Sequence, residues 1–283
     1  MHKDDIIKAI NHSGFPLEVA VEDTIKRSAV TWRLASSNYS IQFFGKRGET
    51  DFILNGQGKR RDTLSVIECK KAHPEYGTWV FFNEVSPVPE KRGRCLYLIE
   101  ERGADGLQFG VIPYDFPDID PVPLMSQAVE VRTSGKKKLQ DTERIYEACL
   151  QTLTNVFALA SEMALDGGFS FNFVIPIIVT TAKLKIIENV EPAIDIIEGS
   201  IDAKKVKLKE VPFVYKVFAF PLAWQQHITR HTADSGNLMI GGRFVKNRSH
   251  ILIVNAGHFE EFLSKTGDFI PDPRQVAKIK IFD

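Results

Sequence analysis

The spacing of apolar residues predicts several helices in this chain. Leu17, Val21 and Ile25 recur every four residues, which predicts a buried stripe on a helix at 16–28 with Pro16 in its first turn. Asp4 to Ile10 predicts a shorter helix before it. A second stripe predicts an amphipathic helix at 142–165, on Ile145, Cys149, Leu153, Val156, Phe157 and Ala160.

β-branched and apolar runs predict the strands. The first lies within 30–44, either as one long strand or as a bent pair with Ser36-Ser37-Asn38 as the turn. Residues 50–54 and 64–70 predict the next two strands, joined by a hairpin through Asn55-Gly56-Gln57-Gly58. The near-continuous apolar run at 172–181 predicts a strand covered on both faces.

The remaining segments predict further strands and a helix that extend a single α/β domain. Residues 72–140 hold prolines, glycines and short apolar runs, which predict a second small sheet or a set of β-excursions. Their aromatic residues Trp79, Phe81 and Phe82 suit either a core or the stacking of bases. The tail predicts strands near 211–220, 238–245 and 250–255 and a helix at 257–265. We therefore expect one elaborated domain over 1–283, with a core at 14–71 and 141–181, an insertion at 72–140 and a C-terminal extension at 182–283.

Composition narrows the classes of protein. The chain has 283 residues, of which 43% are hydrophobic, so it can bury a sizeable core. It has 36 basic and 36 acidic residues, so any attraction to nucleic acid must come from local basic clusters. Such clusters are Lys59-Arg60-Arg61, Lys91-Arg92-Gly93-Arg94, Lys136-Lys137-Lys138 and Lys204-Lys205 with Lys207 and Lys209.

Cysteine usage and hydropathy predict a cytoplasmic protein with no membrane segment. The three cysteines form no C-x-x-C pair, which argues against a disulfide framework or structural zinc and suits a reducing compartment. The first ten residues carry acids where a secretion signal needs an apolar stretch. The most apolar segment, at 169–181, is too short to span a membrane.

The most informative chemistry lies on the predicted hairpin. Glu68 and Lys70 are two apart on a strand and share a face, whereas Cys69 points the opposite way, toward the core. The hairpin brings Asp51 of the preceding strand beside them. Two carboxylates suit Mg²⁺, which keeps several waters and takes up substrate phosphate, and the ammonium offsets charge on phosphorus. The simpler alternative is a solvated hairpin with a surface ion pair.

A second candidate site is weaker. His227 and His231 have the spacing of two helical zinc ligands, but the glutamate of a metalloprotease and a third ligand are missing. We interpret this pair as structural or as part of the surface.

An acid on one strand followed by acid-x-Lys on the next resembles the PD-(D/E)xK nuclease superfamily, which has a restriction-endonuclease-like α/β fold. The order helix, three strands, helix and strand can be traced over roughly half the chain. The resemblance adds Glu18, on the first helix, as a further metal-site acid, with Glu22 in reserve. Two features depart from the family: Thr50 replaces the proline before Asp51, and the stretch 72–140 is long.

The resemblance implies a metal-dependent DNA endonuclease that hydrolyses phosphodiester bonds, and restriction or phage defence would fit it. Asp51, Glu68 and Glu18 would hold Mg²⁺, for which Mn²⁺ would substitute, and Asp51, Glu68, Lys70 and Glu18 would be catalytic. Two alternatives stay open: a silent nucleic-acid- or protein-binding module with a nuclease-like fold, and an RNA-directed nuclease. The sequence also leaves open a homodimer or a partner subunit.

Overall fold

The computed structural model describes residues 2–28, 32–43, 46–56, 63–73, 76–82, 93–100, 107–114, 122–131, 140–141, 143–165, 173–188, 194–195, 197–218, 238–239 and 249–266. These ranges contain four α-helices and a short 3₁₀ turn. The helices are α1 (Lys3–His12), α2 (Phe15–Arg27), α3 (Glu143–Leu165) and α4 (Phe259–Lys265), and the turn is Ala256–His258. All four helices predicted from apolar spacing are confirmed, within a residue or two at most of their ends.

The strands of the first half of the chain are β1 (Trp32–Phe43), β2 (Lys46–Gly56), β3 (Thr63–Lys70), β4 (Thr78–Phe82), β5 (Gly93–Glu100), β6 (Leu107–Tyr114), β7 (Leu124–Met125), β8 (Gln127–Val131) and β9 (Gln140–Asp141). Those of the second half are β10 (Phe173–Thr180), β11 (Lys183–Glu188), β12 (Ile194–Asp195), β13 (Ser200–Ile201), β14 (Lys207–Glu210), β15 (Phe213–Phe218), β16 (Leu238–Met239) and β17 (Ser249–Asn255). Of the strand predicted at 238–245, residues 240–245 lie outside the described part.

The main sheet is mixed and has β10 at its centre. Its central path runs β1-β2-β3-β10-β17-β15-β7, and β5, β6 and β16 attach beside it. Strand β10 pairs in parallel with β3 along its whole length and with β17 over its last four residues. Parallel neighbours with both faces covered require an apolar strand, which explains the hydrophobic run of β10.

Helices cover the two faces of this sheet and create two apolar cores. On one face α3 packs over β3 and β10, in a core that includes Leu153, Val66 and Ile178. On the other face α2 and α4 pack together, in a core that includes Ile25, Phe262 and Ile177. Burial of each such side chain stabilises the fold by about 1.5–3 kcal/mol.

A second, five-stranded sheet has the order β14-β11-β4-β8-β9. The predicted second sheet is therefore present, but β11 and β14 come from the segment assigned to the C-terminal extension. Trp79 and Phe81 of β4 are buried in the core beneath α3, which confirms their assignment to the core, and Phe82 is half-buried. The Trp79 indole N–H donates to Glu130 Oε1 at 3.2 Å.

Strand β1 is a single bent strand, so the alternative of a strand pair with a turn at Ser36-Ser37-Asn38 is wrong. Its pairing with β2 shifts between Leu34 and Ser36, which is the mark of a bulge. Asn38 has a φ of 50°, a left-handed conformation that asparagine tolerates better than most residues. The polar turn residues therefore bend the strand without ending it.

Within the described ranges, no helix combines the length and apolar character needed to cross a membrane.

Candidate functional site

The candidate site lies where β2 and β3 part. The two strands pair from Asn55 with Leu64 up to Phe52 with Ile67. Beyond that point the Cys69 backbone N–H donates to Asp51 Oδ2 at 2.6 Å. A side chain thus replaces the backbone carbonyl as acceptor, and this fixes the Asp51 carboxylate at the end of β3.

Thr50, which replaces the proline that often precedes the acid in the nuclease motif, also contacts β3 where the two strands part. Its side chain is fully buried, and its hydroxyl donates to the Ile67 carbonyl at 3.3 Å. Thr50 and Asp51 together therefore satisfy backbone groups of β3 where the ladder ends. The departure from proline leaves the position of Asp51 well defined.

Glu68 and Lys70 share one face of β3, as the strand alternation predicts. Lys70 Nζ donates to Glu68 Oε1 at 2.6 Å and to Gln151 Oε1 of α3 at 2.9 Å. The side chain of Glu68 is 3% exposed and that of Lys70 is 31% exposed. Cys69 is buried in the opposite core, among residues of α2 and α4, which confirms its predicted direction. The ion pair is therefore buried on the Glu68 side, so the solvated-hairpin alternative is wrong.

Glu68 has more hydrogen-bonding capacity than the protein uses. Its Oε2 atom is buried and has no hydrogen-bond partner among the described residues. The pKa of Glu68 is raised to about 7, first by burial and then by the negative charge of Asp51, while Lys70 opposes both effects. A buried carboxylate oxygen without a partner is costly, and a bound cation would remove that cost.

Glu18 and Asp51 also have raised pKa values. Burial is the largest cause for both, and the negative charge of Glu49 adds to it in each case. Asp51 raises the pKa of Glu18 as well, whereas the Cys69 N–H and Lys70 lower that of Asp51. Four acids therefore act on one another electrostatically around a single lysine.

Glu22, the reserve for Glu18, has a different partner. It forms an ion pair with Lys26 at 2.8 Å, one turn along α2. Such an i,i+4 pair on a solvated helix face contributes a few tenths of a kcal/mol at most. Glu22 thus belongs to the helix surface and serves as a matched control for the acids of the site.

The described residues contain no group of three or more His, Cys, Asp or Glu side chains close enough to hold one metal ion. Glu18 therefore does not join Asp51 and Glu68 in a preformed three-residue cage, and its direct role stays a prediction. Mg²⁺ usually binds through one or two carboxylates, several waters and substrate phosphate. The Asp51 and Glu68 pair has that donor chemistry, and the unpartnered Glu68 oxygen fits it.

Sequence reasoning missed two contributors, Gln151 and Glu49. Gln151 lies 81 positions after Lys70 and touches it only because α3 packs over β3. Glu49 precedes Asp51 by two residues on β2, and its carbonyl accepts from Asn155 Nδ2 at 3.0 Å. Gln151 and Asn155 are four apart on α3, beside its apolar stripe. This polar pair was the signal in the sequence that α3 faces the candidate site.

Several sequence features fall outside the described residues. These are the basic clusters Lys59-Arg60-Arg61 and Lys136-Lys137-Lys138, residues 91–92 of the cluster at 91–94, and the pair His227 and His231. Lys204, Lys205, Lys207 and Lys209 are described, and all four are exposed. Lys207 and Lys209 lie on β14, at the edge of the second sheet.

A scan against protein-family models, a search of curated proteins and a search of solved structures each gave no significant match. The residues of the site are therefore the basis for a function.

Proposed function

We propose that this protein is a Mg²⁺-dependent nuclease of the PD-(D/E)xK type that hydrolyses phosphodiester bonds in DNA. The observation that carries the proposal is the buried Glu68, whose Oε2 is unpartnered while its Oε1 holds Lys70 next to Asp51. A perturbed carboxylate with specific charged neighbours at the end of a sheet is typical of a functional site.

The arrangement of elements supports the same proposal. The order α2, β1, β2, β3, α3 and β10 matches the helix, three strands, helix and strand of a restriction-endonuclease-like core. The strands β1, β2, β3 and β10 are neighbours in that order in the main sheet. This supports a nuclease-like core within the mixed α/β fold.

A bound Mg²⁺ would supply positive charge that favours water ionisation and stabilises the charge that develops on the phosphate oxygens. Asp51 and Glu68 would hold it. The Cys69 N–H orients Asp51, and Gln151 accepts a hydrogen bond from Lys70 and so helps to fix its ammonium group. Lys70 would then exchange its contact with Glu68 for one with the phosphate and stabilise the transition state.

The proposed reaction is a hydrolysis with a simple balance of atoms. A water oxygen forms a bond to phosphorus opposite the leaving oxygen, and the bond between phosphorus and that ester oxygen breaks. One proton of the water leaves to solvent or to a carboxylate, and the leaving oxygen acquires a proton. The products are a phosphate-terminated strand and a hydroxyl-terminated strand.

The first test is a cleavage assay on supercoiled plasmid and on linear DNA with Mg²⁺ or Mn²⁺. Asp51→Asn and Glu68→Gln keep the shape of each side chain and remove its charge. We expect each to lower the rate by about 100-fold or more, the scale of losing a group that stabilises transition-state charge. Glu22→Gln, a matched change on α2 outside the acid cluster, should cleave like the unmodified protein.

Equal cleavage by Glu68→Gln and the unmodified protein would overturn the proposed site. If the unmodified protein cuts RNA and leaves DNA intact, the reaction stands and the substrate changes. If it cuts neither and binds no Mn²⁺ in calorimetric titration, the silent binding module replaces the nuclease.

A further inference from the structure

The segment that follows Lys70 is attached to the main sheet at two points. The Ala72 N–H donates to Thr181 Oγ1 at 2.9 Å, and the Lys183 N–H donates to the Gly77 carbonyl at 2.8 Å. Both partners lie at the carboxyl end of β10, next to the end of β3. His73 and Tyr76, the described residues between these attachments, are therefore held close to the candidate site.

This segment carries an aromatic residue that contacts α3. The Arg144 guanidinium carbon lies 5.8 Å from the centre of the Tyr76 ring, within the range of a cation–π interaction. The His73 ring meets Tyr76 edge-on, with the ring centres 5.8 Å apart. Tyr76 and His73 are half-buried, whereas Arg144 is exposed. An arginine that rests on an aromatic ring keeps N–H donors available at its edge.

Arg144 and Gln151 lie on the same side of α3. They are seven residues apart, close to two helical turns, which separates them by roughly 10 Å along the helix axis. Gln151 contacts Lys70, and Arg144 contacts Tyr76, so both ends of this row face the strand ends that form the site. The row therefore extends from the candidate reaction centre to a fixed, exposed cation.

We propose that Arg144, held by Tyr76, binds one phosphate of the substrate strand away from the bond that is cut. This inference rests on the proposed function and adds a substrate-binding site to it. A strand rises about 3.4 Å per nucleotide along the duplex axis, so roughly 10 Å places this phosphate within about three nucleotides of the cleaved bond. Exposed Glu143 and Glu147 lie one and three residues from Arg144 on α3, so the positive charge of this turn is confined to Arg144 itself.

The test uses oligonucleotides in which one phosphate at a time is replaced by an uncharged methylphosphonate. With the full chain and Mg²⁺, a neutral linkage at one position within about three nucleotides of the cleaved bond should raise KM several-fold and leave kcat nearly unchanged. In Arg144→Gln this position should lose its effect, and the slope of log affinity against log salt should fall by about 0.7 to 0.9. Lys265→Gln, an exposed change on α4 at the opposite face of the main sheet, should keep the slope of the unmodified protein.

Variants at Tyr76 separate phosphate binding from a general loss of charge. Tyr76→Phe keeps the ring under Arg144 and should preserve the response to the neutral linkage. Tyr76→Leu removes the ring and should weaken that response, although the charge of Arg144 is unchanged. Loss of the response in both variants would contradict the proposed role of the ring.

The outcomes distinguish this inference from the proposed function. If the unmodified protein cleaves and Arg144→Gln keeps both the salt slope and the response to the neutral linkage, the inference is overturned and the nuclease stands. If the unmodified protein does not cleave, anisotropy binding of a labelled oligonucleotide decides. A smaller salt slope for Arg144→Gln then retains the phosphate site, and equal slopes overturn it.

Discussion

Glu68 is a carboxylate that water scarcely reaches, so its ionisation should act against the stability of the metal-free fold. Its pKa rises from 4.5 to about 7 on folding. Between these pH values the folded chain holds a proton that the unfolded chain has lost, so the free energy of unfolding falls as pH rises. Below 4.5 both states are protonated, and above about 7 the loss is complete, at roughly 3 kcal/mol.

The first prediction follows from this fall in the free energy of unfolding as pH rises. Glu68→Gln should match the stability of the unmodified protein near pH 4.5 and exceed it by roughly 3 kcal/mol above pH 7.5, because the amide needs no proton. Urea unfolding in the presence of a chelator, at pH 4.5, 6 and 8, measures the difference. Glu22→Gln is the control, and a gap that does not change with pH would contradict the assignment.

The proximity of the three candidate site residues was predictable from the sequence, and the residues that contact them were not. Asp51, Glu68 and Lys70 lie on adjacent strands, so strand alternation and one hairpin were enough to predict their proximity. Gln151 reaches Lys70 through the packing of α3, which no local pattern encodes. Glu49 acts through its charge, which matters only because burial weakens the screening by water.

At the scale of helices and strands, the regular spacing of apolar residues predicted the longer elements well. The helices and the buried strand β10 were predictable because their apolar residues follow one period over many positions. The composition of the second sheet was not predictable, since β4 pairs with β11, and β11 and its neighbour β14 come from another part of the chain. Strand pairing between distant segments depends on tertiary packing, and the residues of each strand do not specify the partner.

A second prediction concerns the contact between β1 and α4. The buried Trp32 indole N–H donates to Thr266 Oγ1 at 2.9 Å, just after the end of α4. Thr266→Val keeps the side-chain shape and leaves that N–H unsatisfied, so it should cost roughly 1–3 kcal/mol of stability. Urea unfolding measures the cost, with the exposed Ser264→Ala as the control. Equal stability of the two variants would show that the hydrogen bond contributes little.

At the scale of the whole molecule, the two sheets share one core. Trp79 of the second sheet and Val66 of the main sheet belong to the same buried cluster under α3. We therefore predict one unfolding transition, although chains of this length often unfold in steps. Far-UV circular dichroism and tryptophan fluorescence should give the same midpoint in urea. Separate midpoints would show that the second sheet is an independent unit.

The two buried thiols can report local opening of the fold, one on each face of the main sheet. Cys69 lies in the core under α2 and α4, and Cys149 lies in the core under α3. Burial raises the pKa of Cys149 to about 12 and that of Cys69 well above its usual value, so neither forms a reactive thiolate while its layer is closed. In a Cys95→Ser background, the labelling time of each thiol would report the opening of one layer. Comparing the two labelling times would give the order in which the two faces of the sheet open.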